Sequence, residues 1–183
     1  SCFEKDAELI VLIKGKTLVK KIKDIKEGDL VLGANEKGLT FVPVEKLNEH
    51  EGEFEIIQIK TENNKVFRAT PNHPAIINGK LKKFEKLQIG DKINILNNNN
   101  LTEEKIIEIK KEKIKGKVYS IELKMNKNQC FSHFVGINGN FMLVHCGFVP
   151  TKELIFLGTF IGGLLITLQA VLADYPPPSA TKN

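Results

Sequence analysis

The sequence contains no Trp, a single Arg (Arg68) among its 27 basic residues, and three Cys. Each scarcity removes a class of function. Proteins that read nucleic acid lean on Arg for base edges and on aromatic rings for stacking. Here a net charge of +5 is carried by Lys residues scattered along apparent strands, which suits a solvated outer face. No nucleic-acid partner is expected. Cys2, Cys130 and Cys146 form an odd, sparse set with no Cys-x-x-Cys pair. That is neither a disulfide framework nor a structural zinc site, and it suits an intracellular chain better than a secreted one. The first apolar stretch, residues 9–13, is far too short for a signal peptide. Helical periodicity is scarce as well, with short hints only near residues 19–25 and 84–89.

What is present points to an all-β fold. A composition of 42% hydrophobic and 27% charged residues is that of a folded chain, not a disordered one. Strand-like runs occupy residues 9–13, 30–32, 54–59, 66–69, 93–96, 118–123 and 141–144. Lys14-Gly15, Glu27-Gly28-Asp29, Glu36-Lys37-Gly38, Asn63-Asn64, Asn78-Gly79 and Asn138-Gly139 mark turns between them. The stretch from Ile22 through Ile25 and Gly28-Asp29 to Val31 matches Phe84 through Leu87 and Gly90-Asp91 to Ile93 at constant offset. This "apolar, apolar, Gly-Asp, strand" device is cheap enough to occur twice by chance. We read it as duplication, two similar β-subdomains related by a pseudo-twofold. Residues 97–100 are four Asn in which no strand pattern shows, and 102–115 are rich in Lys and Glu. They read as an exposed linker or surface excursion, too short for a further catalytic domain.

Two regions are expected: a domain over residues 1–146 and an extension over 147–183. In the extension, residues 154–173 carry no charge and are long enough to cross a bilayer as a helix. Gly158 and Gly162 have the spacing of packed transmembrane helices. A buried or partner-covered apolar segment is the alternative, because Gly and Thr weaken a helix. A Pro-rich tail, Pro176-Pro177-Pro178, follows.

Three segments carry chemistry. A thiol at Cys2 can attack the adjacent carbonyl of Ser1 through a five-membered ring, turning an amide into a more reactive thioester. That step needs an acid for the departing nitrogen and a group to hold the oxygen. Thr70-Pro71-Asn72-His73-Pro74 offers both, since a His fixed between prolines titrates near neutral pH. Alone, a His in a turn is more often structural. The last segment is a hairpin with an Asn138-Gly139 turn whose second strand delivers His145 and Cys146, close to Cys2 if that strand lies beside the first. The bland alternative is an ordinary hairpin with a buried Cys.

Together these blocks resemble the Hint superfamily, which comprises inteins, bacterial-intein-like domains and the autoprocessing domains of hedgehog proteins. Cys2-Phe3 through Gly28-Asp29 resembles the opening block, Thr70-Pro71-Asn72-His73 the Thr-x-x-His block, and Val118-Tyr119-Ser120 with Asn138 through His145 the closing blocks. The resemblance covers residues 2–146. It implies a β-rich horseshoe in which Cys2 is the nucleophile, Thr70 and His73 activate the scissile amide, and His145 assists at the other end.

One departure matters. Inteins normally end in His-Asn, whose Asn cyclises to release the downstream flank, whereas His145 is followed directly by Cys146. Full splicing is therefore not expected, while thioester chemistry at Ser1–Cys2 is. A Cys in the final place, with an apolar extension behind it, is more similar to the hedgehog branch. The Asp expected there near Asn48-Glu49-His50 is absent, with Glu49 the nearest substitute. Some relatives adjoin ubiquitin-like modules, and this sequence shows none.

The expected function is single-turnover self-processing. The upstream polypeptide is the substrate, and water, a small thiol, an amine or Cys146 is the acceptor. No cofactor is required. Zinc is expected only as an inhibitor, since Cys2, His73, His145 and Cys146 offer it thiolates and imidazoles. A Cys2–Cys146 disulfide would also silence the site. The rivals are an inactive domain tethering something to a membrane and a structural domain with that bridge.

Overall fold

In the computed structural model, residues 1–35, 38–77, 80–97, 100–124 and 132–145 are described. Cys130, Cys146 and the apolar run 154–173 lie outside them, as do the expected turn residues Glu36-Lys37 and Asn78-Gly79.

The described residues form twelve strands and two 3-10 turns. The strands are β1 Phe3–Glu4, β2 Glu8–Ile13, β3 Lys16–Lys21, β4 Leu30–Asn35, β5 Gly38–Thr61, β6 Val66–Ala69, β7 Pro74–Ile77, β8 Lys80–Lys83, β9 Lys92–Asn97, β10 Asn100–Leu123, β11 Ser132–Ile137 and β12 Asn140–His145. They follow the order β3-β2-β11-β4-β5-β10-β9-β12-β7-β8, with β1 on β10 and β6 on β5. Every pairing is antiparallel. The all-β expectation holds.

The internal repeat is structural. The 3-10 turns Ile22–Asp24 and Phe84–Lys86 occupy matching places. Asp29 caps the first corner by accepting from Lys20 Nζ at 2.8 Å and from the Lys26 amide at 2.8 Å. Asp91 does the same with Lys82 Nζ at 2.7 Å and the Gln88 amide at 2.9 Å. Gly28 and Gly90, both at positive φ, donate to the Val44 and Ile106 carbonyls, each at 2.8 Å. From Ile22 to Phe84, Asp29 to Asp91 and Val44 to Ile106, the separation is 62 residues.

The same separation governs the long strands. β5 and β10 have 24 residues each, and each turns from one local sheet into the other. A one-residue bulge lets each make that turn, at Glu45 in β5 and at Ile107 in β10, again 62 apart. At the middle of the ribbon Glu53 faces Lys115, its own repeat equivalent, so the pseudo-twofold axis passes through that pair.

Two sequence expectations are corrected. Residues 102–115 are no surface excursion but most of β10, paired first with β9 and then with β5. Lys and Glu fill the solvent side of that ribbon, while Ile106 is fully buried and Ile109 packs on the core. Such a strand shows charge in its sequence because only one side of the pleat is covered. The helical hint at 19–25 resolves into β3 and a single 3-10 turn. β3 is a sheet edge whose Lys residues discourage further pairing.

The core lies between the layers. Leu9, Val11, Val31, Ile57, Ile59, Phe67, Ile93, Ile95, Met142 and Val144 belong to its larger cluster, all nearly or fully buried. One position, Gly136 in β11, is set by backbone approach. A Cβ on Gly136 would overlap the Asn140 carbonyl oxygen and come within 2.7 Å of the Phe141 ring. Gly136→Ala is therefore expected to destabilise the fold by about 2 kcal/mol. A shift in the urea midpoint at constant slope reads this out. A change under about 0.5 kcal/mol would mean that the β11–β12 hairpin relaxes freely.

The repeat is not chemically uniform. Thr61, fully buried, donates its hydroxyl hydrogen to Glu104 at 2.7 Å, and Lys65 Nζ reaches the other oxygen of Glu104 at 2.7 Å. The equivalent positions in the other half are Leu123 and Val42, both buried and apolar. The backbone around the two places matches: Glu62 donates to the Lys105 carbonyl at 2.9 Å, and Lys124 to that of Pro43 at 2.8 Å.

Candidate functional site

β6 ends at Thr70 because Pro71 has no N–H to continue the ladder and holds Thr70 extended. The chain then turns through Pro71 and Asn72, closed by the His73 amide on the Thr70 carbonyl at 3.0 Å. The second 3-10 turn anchors this segment, with Phe84 donating to the His73 carbonyl and Glu85 to that of Pro71, both at 2.9 Å. In the first half Ile22 donates to Ala7 and Lys23 to Lys5 in the same pattern. His73 thus stands where the other copy has Ala7, and Thr70 where it has Glu4. Only one copy of the duplicated turn places an imidazole at this position.

The chain's beginning docks on this turn. The Cys2 amide donates to Thr70 Oγ1 at 2.8 Å, and the Thr70 amide donates back to the Cys2 carbonyl at 3.0 Å. The Thr70 hydroxyl has Asn72 Oδ1 at 3.0 Å and the Cys2 carbonyl at 3.2 Å as acceptors. Cys2 is buried and makes no disulfide among the described residues. Beside it a cleft of about 340 Å³ opens among Ser1, Thr70, Asn72, His50 and Phe54.

His73 is 2% exposed, with its ring centroid 4.1 Å from that of Phe3, and Phe84 stands edge-on at 6.3 Å. Burial holds its pKa well below the usual histidine value, helped by His133, by the chain's amino group and by His145. The Ser1 backbone pulls the other way, as a carbonyl close to the ring does. Even so, neither ring nitrogen makes a hydrogen bond of full geometry among the described residues.

Sequence reasoning misses His133. It is fully buried on β11, 6.1 Å from the Phe3 ring, with Nδ1 at 3.1 Å from the Phe134 carbonyl. Burial brings its pKa to about 4. Its one sequence signal is a titratable side chain set in a strand-like apolar run. His145 ends β12 opposite Ser132 and is fully buried too. Cys2, Thr70, His73 and His145 are thus all buried, and the Thr70–His73 turn is held directly against Cys2. Cys146 lies outside the described residues, and with it the fourth member of the expected zinc set. Among the described residues no three His, Cys, Asp or Glu side chains group to hold a metal ion. Glu49 accepts from the Tyr119 hydroxyl at 2.9 Å on the outer ribbon, which leaves it tied to β10. Among the described residues no helix is long and apolar enough to cross a membrane.

No protein-family model and no curated protein matches this sequence. Solved structures do. The chain is similar to a DnaB intein from Synechocystis sp. PCC 6803, with 15% identity and a TM-score of 0.65, over 80% of this chain and 99% of that one. It is similar to an intein from a hyperthermophile, with 18% identity and a TM-score of 0.68, over 79% and 98%. It is also similar to the transcription factor IIB Mvu mini-intein, with 19% identity and a TM-score of 0.61, over 79% and 98%. At such identities the likeness concerns architecture, and by its strand order, its duplicated halves and these neighbours the described chain has the Hint fold of the inteins.

Proposed function

We propose that the chain processes itself, converting the Ser1–Cys2 peptide bond into a thioester and passing the upstream polypeptide to an acceptor. One observation carries this reading: the two sides of that bond meet two different groups. Its nitrogen donates to Thr70 Oγ1 at 2.8 Å, and the Ser1 backbone on its carbonyl side acts to raise the pKa of His73 against the effect of burial. The likeness to inteins supports the same reading, because those proteins act on their own flanking polypeptides.

The steps balance within one molecule. Neutral His73 takes the Cys2 thiol proton as the sulfur attacks the Ser1 carbonyl carbon. The tetrahedral oxyanion collapses, the C–N bond breaks, and the imidazolium returns the proton to the leaving nitrogen, which becomes the Cys2 amine. A ring with a depressed pKa is a strong acid once protonated, which suits the second transfer. Thr70 keeps the nitrogen in line. Water, a small thiol, an amine or Cys146 then attacks the thioester, and His145 assists at that end. Complete splicing is not proposed, since no Asn separates His145 from Cys146.

The test is the intact mass of a short reporter fused ahead of Ser1, with and without dithiothreitol, after a chelator has removed any inhibitory zinc. Release that dithiothreitol accelerates and Cys2→Ala abolishes establishes the thioester, and the reporter's mass names the acceptor. An uncleaved fusion under both conditions sinks the reading.

A further inference from the structure

We infer, on the reading that Cys2 is the nucleophile, that Arg68 is a positioning residue which fixes the nucleophile's strand in register with Thr70. The Thr70 amide donating to the Cys2 carbonyl, with the Cys2 amide on the Thr70 hydroxyl, is one rung of an antiparallel approach between the chain's beginning and β6. Two residues along each strand, Glu4 faces Arg68, and the Arg68 Nε–H donates to Glu4 Oε1. The ion pair is therefore the next rung on the same side of the two strands.

β1 itself has two residues, paired to Val118 and Tyr119 of β10 on its other flank. A slip of one residue there would turn the Cys2 side chain to the opposite face. Arg68 is itself immobilised from behind. Its Nη1 donates to Gln58 Oε1 at 2.7 Å and lies 2.8 Å from Glu112 Oε2, so strands β5, β6, β10 and β1 meet on one guanidinium. A planar fork of five donors can hold three acceptors at fixed angles, and an ammonium on a flexible stem cannot. Arg68 is the chain's one guanidinium, and it stands two residues before Thr70, where this geometry is needed.

The experiment compares Arg68→Lys, Glu4→Gln and Glu112→Gln, the last of which removes an Arg68 contact without touching β1. Two readouts are taken well below the unfolding midpoint: dithiothreitol-induced release from the reporter fusion, and hydrogen exchange of the Cys2 amide in the unfused chain. Arg68→Lys and Glu4→Gln are expected to slow release about ten- to hundred-fold and to speed Cys2 amide exchange, while the Val11 amide in β2 keeps its protection. Glu112→Gln should stay within about two-fold of wild type. Wild-type release and exchange in Arg68→Lys would overturn the inference. So would equal effects from Glu112→Gln and Glu4→Gln, or a loss of protection shared by Cys2 and Val11. Should wild type release nothing, the proposed function fails, and Cys2 amide exchange still decides whether Arg68 sets the register.

Discussion

His73→Ala is expected to slow dithiothreitol-induced release of a reporter ahead of Ser1 by about a hundred- to ten-thousand-fold, the range in which a positioned general acid–base acts. The size follows from two jobs falling on one ring. At neutral pH the buried imidazole is uncharged, so it is ready to accept the thiol proton. Once charged in that same site it has every reason to give the proton up, and the amide nitrogen is the group that must receive it. His133→Ala separates proximity from chemistry. That ring is also buried, but its neighbour is the Phe134 carbonyl, and the Ser1 backbone is among the groups that act on His73 and not among those that act on His133. Its loss should slow release by less than the loss of His73. Equal rates for His73→Ala and wild type, in a protein of unchanged unfolding midpoint, would remove His73 from the reaction. The rate should also hold as pH falls through 6.5, because His73 remains neutral there.

The second large effect is on stability. Unfolded, His133 titrates near 6.5, and folded it titrates near 4. The unfolded chain therefore binds the extra proton between those values, so stability is complete above about pH 6.5 and falls as pH drops toward 4. The span of about 2.5 units corresponds to about 3 kcal/mol for this residue. His73, lowered in the same direction, adds to the loss. Glu104, a lowered carboxylate, acts at lower pH, since its stabilisation is complete above its ordinary value of 4.5 and lost as pH falls below it. Urea midpoints at half-unit steps from pH 7.5 to 4.5 measure this, and His133→Gln should flatten the slope. A midpoint independent of pH above 5 would mean that these imidazoles are reached by water.

Much of this is readable in the sequence, and the reasons differ by element. The pattern over residues 66–69 predicts a strand, and β6 is Val66–Ala69, because β-branched and aromatic residues end abruptly at Thr70-Pro71. The duplication is visible because its Gly-Asp corners demand the same residues twice. The site's first half is visible too, since a Thr three residues before a Pro-bracketed His is a local pattern. Residues 102–115 mislead because most of their pairing partners lie in β5, about 45 to 62 residues earlier, and Lys and Glu on the solvent face dominate the local composition. His133 escapes notice for a related reason. Within an apolar strand, only tertiary packing distinguishes a side chain aimed at the site from one that fills the core. Arg68 stands out in the sequence as a scarcity, and what its position means requires the rung between Glu4 and Arg68.

The unequal halves of the ribbon have a consequence for assembly. A chain whose two long strands are each other's repeat equivalents is built to pair with copies of itself: β5 of one molecule offers β5 of another nearly the backbone partner that β10 does. Domain exchange between identical arms is the ordinary hazard of such a design. In a β10–β10 pairing, Leu123 would replace Thr61 opposite Glu104, and a buried carboxylate would lose its hydroxyl donor. In a β5–β5 pairing, Thr61 would meet Val42 and its hydroxyl would have no acceptor. Only the heterologous union of the two halves satisfies both groups, and an unsatisfied buried carboxylate is among the more costly errors a fold can make. The Thr61–Glu104–Lys65 cluster is thus satisfied where β5 meets β10 and broken where either strand meets its own copy.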